Sequence, residues 1–173
     1  MTPLRFDIRQ AVLSDADALA EVHVLGWRQA YAGRMPQSLL DGLSVSDRVT
    51  SWQRILTSEA EPEAPWRSWL AEGDHGRVLG FISIGPSRDE DMPAHAELYA
   101  VYVLADAYGS GAGQALLDLA SDFSRPTSLW VLDDNPRAHA FYRRNGFAFD
   151  GAEKIDEYDG VPIRELRMVR DEG

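Results

Sequence analysis

Residues 101–117 read Val-Tyr-Val-Leu-Ala-Asp-Ala-Tyr-Gly-Ser-Gly-Ala-Gly-Gln-Ala-Leu-Leu, and this run limits the fold more than any other part of the chain. A β-branched and aromatic stretch, Ala94 to Leu104, has strand character and feeds a loop with glycines at 109, 111 and 113. A stripe of Ala112, Ala115, Leu116, Leu119, Ala120 and Phe123 then recurs at helical spacing. Strand, glycine loop and helix in immediate succession belong to α/β architecture. Glycine lets backbone approach a ligand, and N–H groups at a helix N-terminus point the same way, so this arrangement suits phosphate. A nucleotide P-loop needs Gly-Lys-Ser/Thr, whereas Gly113-Gln114-Ala115 stands here. The dinucleotide pattern GxGxxG fails too, with Gln114 or Leu116 in its last place. A purely structural glycine turn stays open at this point.

The rest of the chain divides into further elements. Leu4 to Val12 reads as a strand, and Ser14 or Asp15 can cap a helix to about Tyr31. Helical stretches cover Gln37 to Leu43 and Val45 to Thr57, with Ser44 or Ser46 as cap and Val49, Trp52 and Leu56 facing inward. Trp66 to Glu72 and Arg77 to Gly85 form a hairpin, and Pro86 to Pro93 an acidic loop. Ser128 to Leu132 is a strand. Asn135 to Asn145 is a helix signalled by Asn135 as N-cap, Pro136 inside the start and Gly146 past the end. Phe147 to Asp150 and Ile163 to Val169 close the chain as a hairpin. No repeat or linker interrupts these 173 residues, which read as one domain.

Composition narrows the partners. Asp and Glu outnumber Lys and Arg by 28 to 17, a net charge of -11, which argues against nucleic acid and leaves room for a cationic substrate. Solubility alone explains the charge equally well. No apolar run approaches the roughly 20 residues that span a bilayer, and the N-terminus has no secretory pattern. Without cysteine there is no disulfide, thiolate metal site or Cys nucleophile. A cytoplasmic protein is the simplest reading. His23, His75, His95 and His139 show no metal-ligand spacing, so no metal is expected.

Two blocks together resemble the GNAT superfamily of acyl-CoA-dependent N-acetyltransferases. Tyr108-Gly109-Ser110-Gly111-Ala112-Gly113 is similar to its Arg/Gln-x-x-Gly-x-Gly/Ala loop at both glycine positions, with tyrosine in place of the first residue. Asn135-Pro-Arg-Ala-His-Ala-Phe-Tyr-Arg-Arg-Asn-Gly-Phe147 is similar to Asn-x-x-Ala-x-x-Phe-Tyr-x-x-x-Gly-Phe at every fixed position. The resemblance implies a mixed, mostly antiparallel sheet of six to seven strands with helices on both faces. It implies acetyl-CoA as cosubstrate, held by Val101, Tyr102, Val103, Tyr108, Gly109, Ser110, Gly111, Ala112, Gly113, Gln114, Asn135, Ala138 and Tyr142. The alternative for Asn135 is a simple helix cap, and for Tyr142 a core aromatic.

The mechanism the resemblance implies is direct attack of an amine on the thioester. Tyr142 is the acid for the departing sulfur, the backbone N–H of Val103 or a neighbour the oxyanion donor, and Glu97 a base acting through water. Strand alternation puts Glu97, Tyr99, Val101 and Val103 on one face. A surface carboxylate at a strand end is the other reading of Glu97. Trp27 and Tyr31, four apart on one helix face, can stack on an acceptor together with Tyr99, or can simply pack on the sheet. Arg137, Arg143 and Arg144 offer positive charge to coenzyme phosphates or form a solvated face. The expected acceptor is a small-molecule primary amine. Protein or peptide N-acetylation, a non-catalytic acyl-CoA-binding module and homodimerisation stay open.

Overall fold

The computed structural model describes residues 4–120, 125–158 and 160–171. Its elements run β1 (Phe6–Gln10), α1 (Ala16–Tyr31), α2 (Gln37–Asp41), α3 (Val45–Glu59), β2 (Arg67–Gly73), β3 (Val78–Pro86), β4 (Ala96–Val103), α4 (Ala112–Ala120), β5 (Thr127–Leu132), α5 (Pro136–Arg144), β6 (Ala148–Tyr158) and β7 (Val161–Arg170). Phe123, expected in the α4 stripe, lies outside the described residues.

The starts of α3 and α5 follow local chemistry, and that of α1 does not. Ser44 Oγ accepts the Asp47 N–H at 3.2 Å, and Asn135 Oδ1 accepts the Ala138 N–H at 3.2 Å, each satisfying an amide the helix leaves free. Asp15 does not cap α1. Its carboxylate turns back to accept the Val12 N–H at 2.8 Å and to meet the Arg9 guanidinium, with both contacts at 2.8 Å. The β1 arginine six residues back outcompetes the forward amides because a charge-assisted pair is the stronger bond. The Arg9 hydrogen bond accordingly holds the Asp15 carboxyl below its ordinary value.

The strands form one seven-stranded sheet in the order β1-β2-β3-β4-β5-β7-β6. Every pairing is antiparallel except β4–β5. One core lies between the sheet and helices α1 and α3, where Leu19, Ala20, Trp52 and Leu56 meet Leu70, Val78 and Phe81. The other lies under α4, where Leu116 and Leu117 meet Leu79, Ile82, Leu98, Leu129 and Met168. Each of these buried leucines stabilises the fold by about 1.5–3 kcal/mol. Helix α5 adds Ala138, Phe141 and Tyr142 to the margin of this second core. Glycine at 26 brings α1 down on β4, since a Cβ there would stand 3.2 Å from the Tyr102 Cβ.

The final hairpin is longer than its sequence suggests: β6 continues from Asp150 to Tyr158 across a register shift between Phe149 and Glu153. β6 is a sheet edge, largely exposed and rich in charge, so no apolar alternation announces it.

The feature that positions the site is in β4. The β3–β4 register skips Tyr99, with Ser83 opposite Ala100 and Ile84 opposite Leu98. This bulge reverses the expected alternation. Leu98, Val101 and Val103 all belong to the α4-side core, so Glu97, next to Leu98, does not share their face. Just there β4 and β5 part company: they pair only at Ala96, Glu97 and Leu98. Ala96, Glu97 and Leu98 are buried, whereas Tyr99 to Val103 are only half-buried.

Candidate active site

A cleft of about 550 Å³ occupies the gap between the diverging β4 and β5, a size suited to a small ligand or cosubstrate. One end is lined by Gly109, Gly111, Gly113 and Gln114, the other by Tyr31, Arg34 and Trp130, with Tyr142 also in its wall.

The strand wall offers backbone donors. Leu104 donates its N–H to Leu79 of β3 at 2.8 Å. In an antiparallel ladder alternate residues face the partner, so the Tyr102 and Ala100 amides also face β3. The Val101 and Val103 amides therefore face the gap left by β5. At the glycine end, Gly109 and Gly111 have φ of +77° and +92°, and a Cβ on either would meet nothing within 4 Å. They are glycines for conformation, with open space before them, while Gly113 has an ordinary φ. The Ser110 hydroxyl accepts the Ala112 N–H at 3.2 Å. The Gly111, Gly113 and Gln114 amides bond nothing among the described residues and sit at the start of a nine-residue helix. These free donors with open space in front fit a pyrophosphate.

Helix α5 forms the opposite wall through Asn135, Arg137, Ala138 and Tyr142. Asn135 serves as cap and cleft wall at once. The Gln114 side chain ties α4 to α5, donating to Asn145 Oδ1 at 2.7 Å, so it acts there as a brace. The Arg137 guanidinium carbon stands 3.1 Å from the centroid of the Tyr108 ring. Positive charge is thus delivered beside the glycine loop from α5, where the loop's own first residue carries none. Burial pushes the Tyr142 phenol well above its ordinary value, with the Tyr31 phenol adding to the effect.

At the far end the Tyr31 and Tyr102 hydroxyls bond each other at 3.0 Å. Burial raises both phenols, and the negative charge of Glu165 raises them further. Trp27 contacts Tyr31 edge-on at 5.2 Å, but its ring lines a second cavity of about 420 Å³ rather than the cleft. Tyr99 borders both cavities and donates its hydroxyl to the Pro86 carbonyl at 2.6 Å.

Glu97 is placed differently from the role expected of it. It is 1% exposed and absent from the cleft wall. One carboxylate oxygen accepts the Arg88 N–H at 2.8 Å and the other accepts the Arg88 guanidinium, so both are engaged. The residues whose part the sequence did not signal are Trp130 and Arg167. Trp130 lines the cleft and donates its indole N–H to Asp89 at 3.0 Å. Arg167, 6% exposed, bonds Asp89, Asp91 and Asp150 and fixes the acidic loop over the sheet. Only the partnership of an isolated β7 arginine with a distant run of acids could have flagged it, and sequence spacing does not reveal such a pairing. No grouping of His, Asp and Glu suited to a metal occurs among the described residues, and no helix there is long and apolar enough to cross a membrane.

Comparison with known proteins agrees with this geometry. The family model described as the acetyltransferase (GNAT) family matches residues 27–147. The chain is 31% identical to the uncharacterised N-acetyltransferase YuaI of Bacillus subtilis, covering 93% of this chain and 90% of that one. It is 32% identical to an uncharacterised N-acetyltransferase of Mycobacterium bovis, over 89% and 99% of the two chains. The crystal structure of PaiA N-acetyltransferase from Thermoplasma acidophilum in complex with coenzyme A matches in fold, with a TM-score of 0.71 and 20% identity over 97% of this chain and 99% of that one. A strand pair that opens beside a glycine loop, and a family match that spans both, lead to one assignment: the chain belongs to the GNAT family and is an acetyl-CoA-dependent acyltransferase.

Proposed function

We propose that the protein moves an acetyl group from acetyl-CoA to the primary amine of a small molecule by direct attack. The observation that carries this reading is the continuity of the cleft, which joins the glycine loop to Tyr31 and Trp130 through the gap beyond Leu98. Gly109, Ser110, Gly111, Ala112, Gly113 and Gln114 hold the pyrophosphate through backbone amides, and Arg137 adds positive charge beside Tyr108. The Val101, Tyr102 and Val103 backbone lines the coenzyme arm. The Val101 and Val103 amides are the donors for the oxygen that gains negative charge. Asn135 and Ala138 complete the wall at α5.

Tyr142 supplies the proton that the departing sulfur takes up. A raised phenol keeps its proton at working pH, and the burial that raises it disfavours a free thiolate as well. Tyr31 stands at the acceptor end. Glu97 enters this reading as the anchor of Arg88 rather than as the base, because it is buried outside the cleft wall and both of its oxygens bond Arg88. Glu165 supplies negative charge on the acceptor side, felt at Tyr31 and Tyr102.

The test is turnover of acetyl-CoA against a panel of small amines and lysine-bearing peptides, read by free thiol release. Thiol release with small amines supports the reading. Release with peptides alone would transfer it to protein acetylation, and coenzyme binding without release would leave an acyl-CoA-binding module.

A further inference from the structure

Among the described residues neither apolar core includes Trp130. Its β5 neighbours Leu129 and Val131 belong to the core under α4, so alternation turns the indole to the opposite face of the sheet. Its register partner there, on β7, is Arg167. A half-buried ring in the cleft wall thus lacks the apolar packing that would fix its side-chain torsions. Polar groups surround it instead. Asp89 accepts the indole N–H with both carboxylate oxygens, at 3.0 and 3.2 Å. Lys154 Nζ stands 4.8 Å and the Arg167 guanidinium carbon 5.6 Å from the ring centroid, each within cation–π reach. A cation over the face leaves the ring free to turn in its own plane. The Asp89 bond, made at the edge of the ring, removes that freedom.

Asp89 reaches the ring already oriented. Its backbone N–H donates to Ser87 Oγ at 3.1 Å, and its carbonyl accepts the Met92 N–H at 3.0 Å, closing a turn around it. Its carboxylate also accepts from Arg167 at 3.3 Å. Arg167 is pinned in turn by Asp91, at 2.7 and 2.8 Å, and by Asp150, at 2.7 Å. A charge-assisted bond from the indole to a carboxylate held in this way is strong as well as directional. Asp89 is absent from the cleft wall, so any influence it has on an acceptor passes through the ring it orients.

We propose that Asp89 is a positioning residue that fixes the indole of Trp130 at the acceptor end of the cleft, so that the acidic loop sets the acceptor KM without touching the acceptor. This rests on the acetyl-transfer reading. A wall ring contacts the acceptor in ground state and transition state alike, so its displacement raises KM more than it lowers kcat. If Asp89 only tied the loop down, its effect would not depend on the indole N–H.

The experiment measures KM and kcat by thiol release with n-butylamine, ethanolamine, spermidine and glycinamide, alongside thermal unfolding. Asp89→Ala should raise the amine KM by roughly tenfold while acetyl-CoA affinity holds. Asp89→Asn is isosteric, keeps an oxygen for the indole N–H but loses the charge, and should raise KM by about threefold. It carries the test alone if the alanine variant unfolds. Trp130→Phe has no N–H to donate. In that background either Asp89 variant should change KM by less than about twofold, although the unfolding temperature still falls because Arg167 has lost a partner. The protein has five tryptophans, so the emission lost in Trp130→Phe isolates this indole, and Asp89→Ala should shift that component. Glu90→Gln removes an exposed charge next to Asp89 and should leave KM as it was. An amine KM indifferent to both Asp89 variants, or one that changes equally with and without the indole N–H, overturns the proposal. No thiol release from any amine by the wild type would instead fail the acetyl-transfer reading, and the proposal with it.

Discussion

A phenol can deliver a proton to a departing sulfur only if it still holds that proton when the sulfur leaves. Burial secures this for Tyr142. Tyr142→Phe keeps the ring that packs at 5.3 Å from Phe141 and 5.7 Å from Phe147, so fold and acetyl-CoA affinity should persist. Turnover should fall by roughly 10²–10⁴-fold, the range for a lost acid–base group, and wild-type turnover would reduce Tyr142 to a core aromatic. His23 makes a second prediction at this scale. Its folded pKa is about 3 against 6.5 for a free imidazole, so the unfolded chain binds the extra proton between these values. Stability must therefore fall as pH drops from about 6.5 toward 3, with a slope of up to ~1.4 kcal/mol per pH unit from this group. Denaturant melts of His23→Phe should show a shallower acid loss than the wild type. Equal slopes would mean the ring is protonated in the fold.

In the proposed reading the turn between β4 and α4 binds the coenzyme, and its two left-handed glycines differ from the third. Gly111→Val places a β-branched residue at φ +92° and obstructs the open space before the free amides. Calorimetric titration should detect no acetyl-CoA binding, with a stability loss of about 1–3 kcal/mol from the strain. Gly113→Ala is the matched comparison, since its Cβ would meet Val103 at an ordinary 3.6 Å. That variant should stay folded to within about 1 kcal/mol of the wild type or gain slightly from helix propensity. The β4 bulge works at this scale as well. By letting Tyr99 stand outside the register it turns Glu97 away from Val101 and Val103 and frees two amides on the edge that β5 abandons.

Across the whole molecule, the acidic β3–β4 loop is held by two arginines, exposed Arg88 and buried Arg167, as well as by its own turns. Arg88 reaches Glu97, and Arg167 gathers Asp89, Asp91 and Asp150 while Trp130 bonds Asp89. Arg167→Met removes the centre of that network and leaves carboxylates facing one another. Thermal and denaturant unfolding should report a loss of about 3 kcal/mol, and the shifted Trp130 should raise the amine KM. Stability unchanged from the wild type would show that the loop is held by other contacts. Glu97→Gln tests the corresponding anchor. If Glu97 is structural, turnover should drop by the same factor at every pH. A loss concentrated near neutrality and recovered toward the amine's own pKa would return Glu97 to the role of base.

The sequence by itself determined the order of elements, the capping of α3 and α5, the glycine loop and the Asn135 to Phe147 block, because each rests on neighbours within a few residues. Strand alternation, caps and glycine conformations are short-range preferences that a linear pattern records. Only the tertiary structure decided which way Glu97 points, that Asp15 serves Arg9, that β6 reaches Tyr158, and that Trp27 walls a cavity of its own. These depend on partners far along the chain, on one skipped residue in a register or, for Asp15, on an arginine six residues back that also bonds Glu72 of β2. A single bulge reverses every face that follows it, and the ion pair of Asp15 with Arg9 of β1 overrides a local cap. Such outcomes are settled by which strands lie side by side, and no spacing within the chain encodes that adjacency.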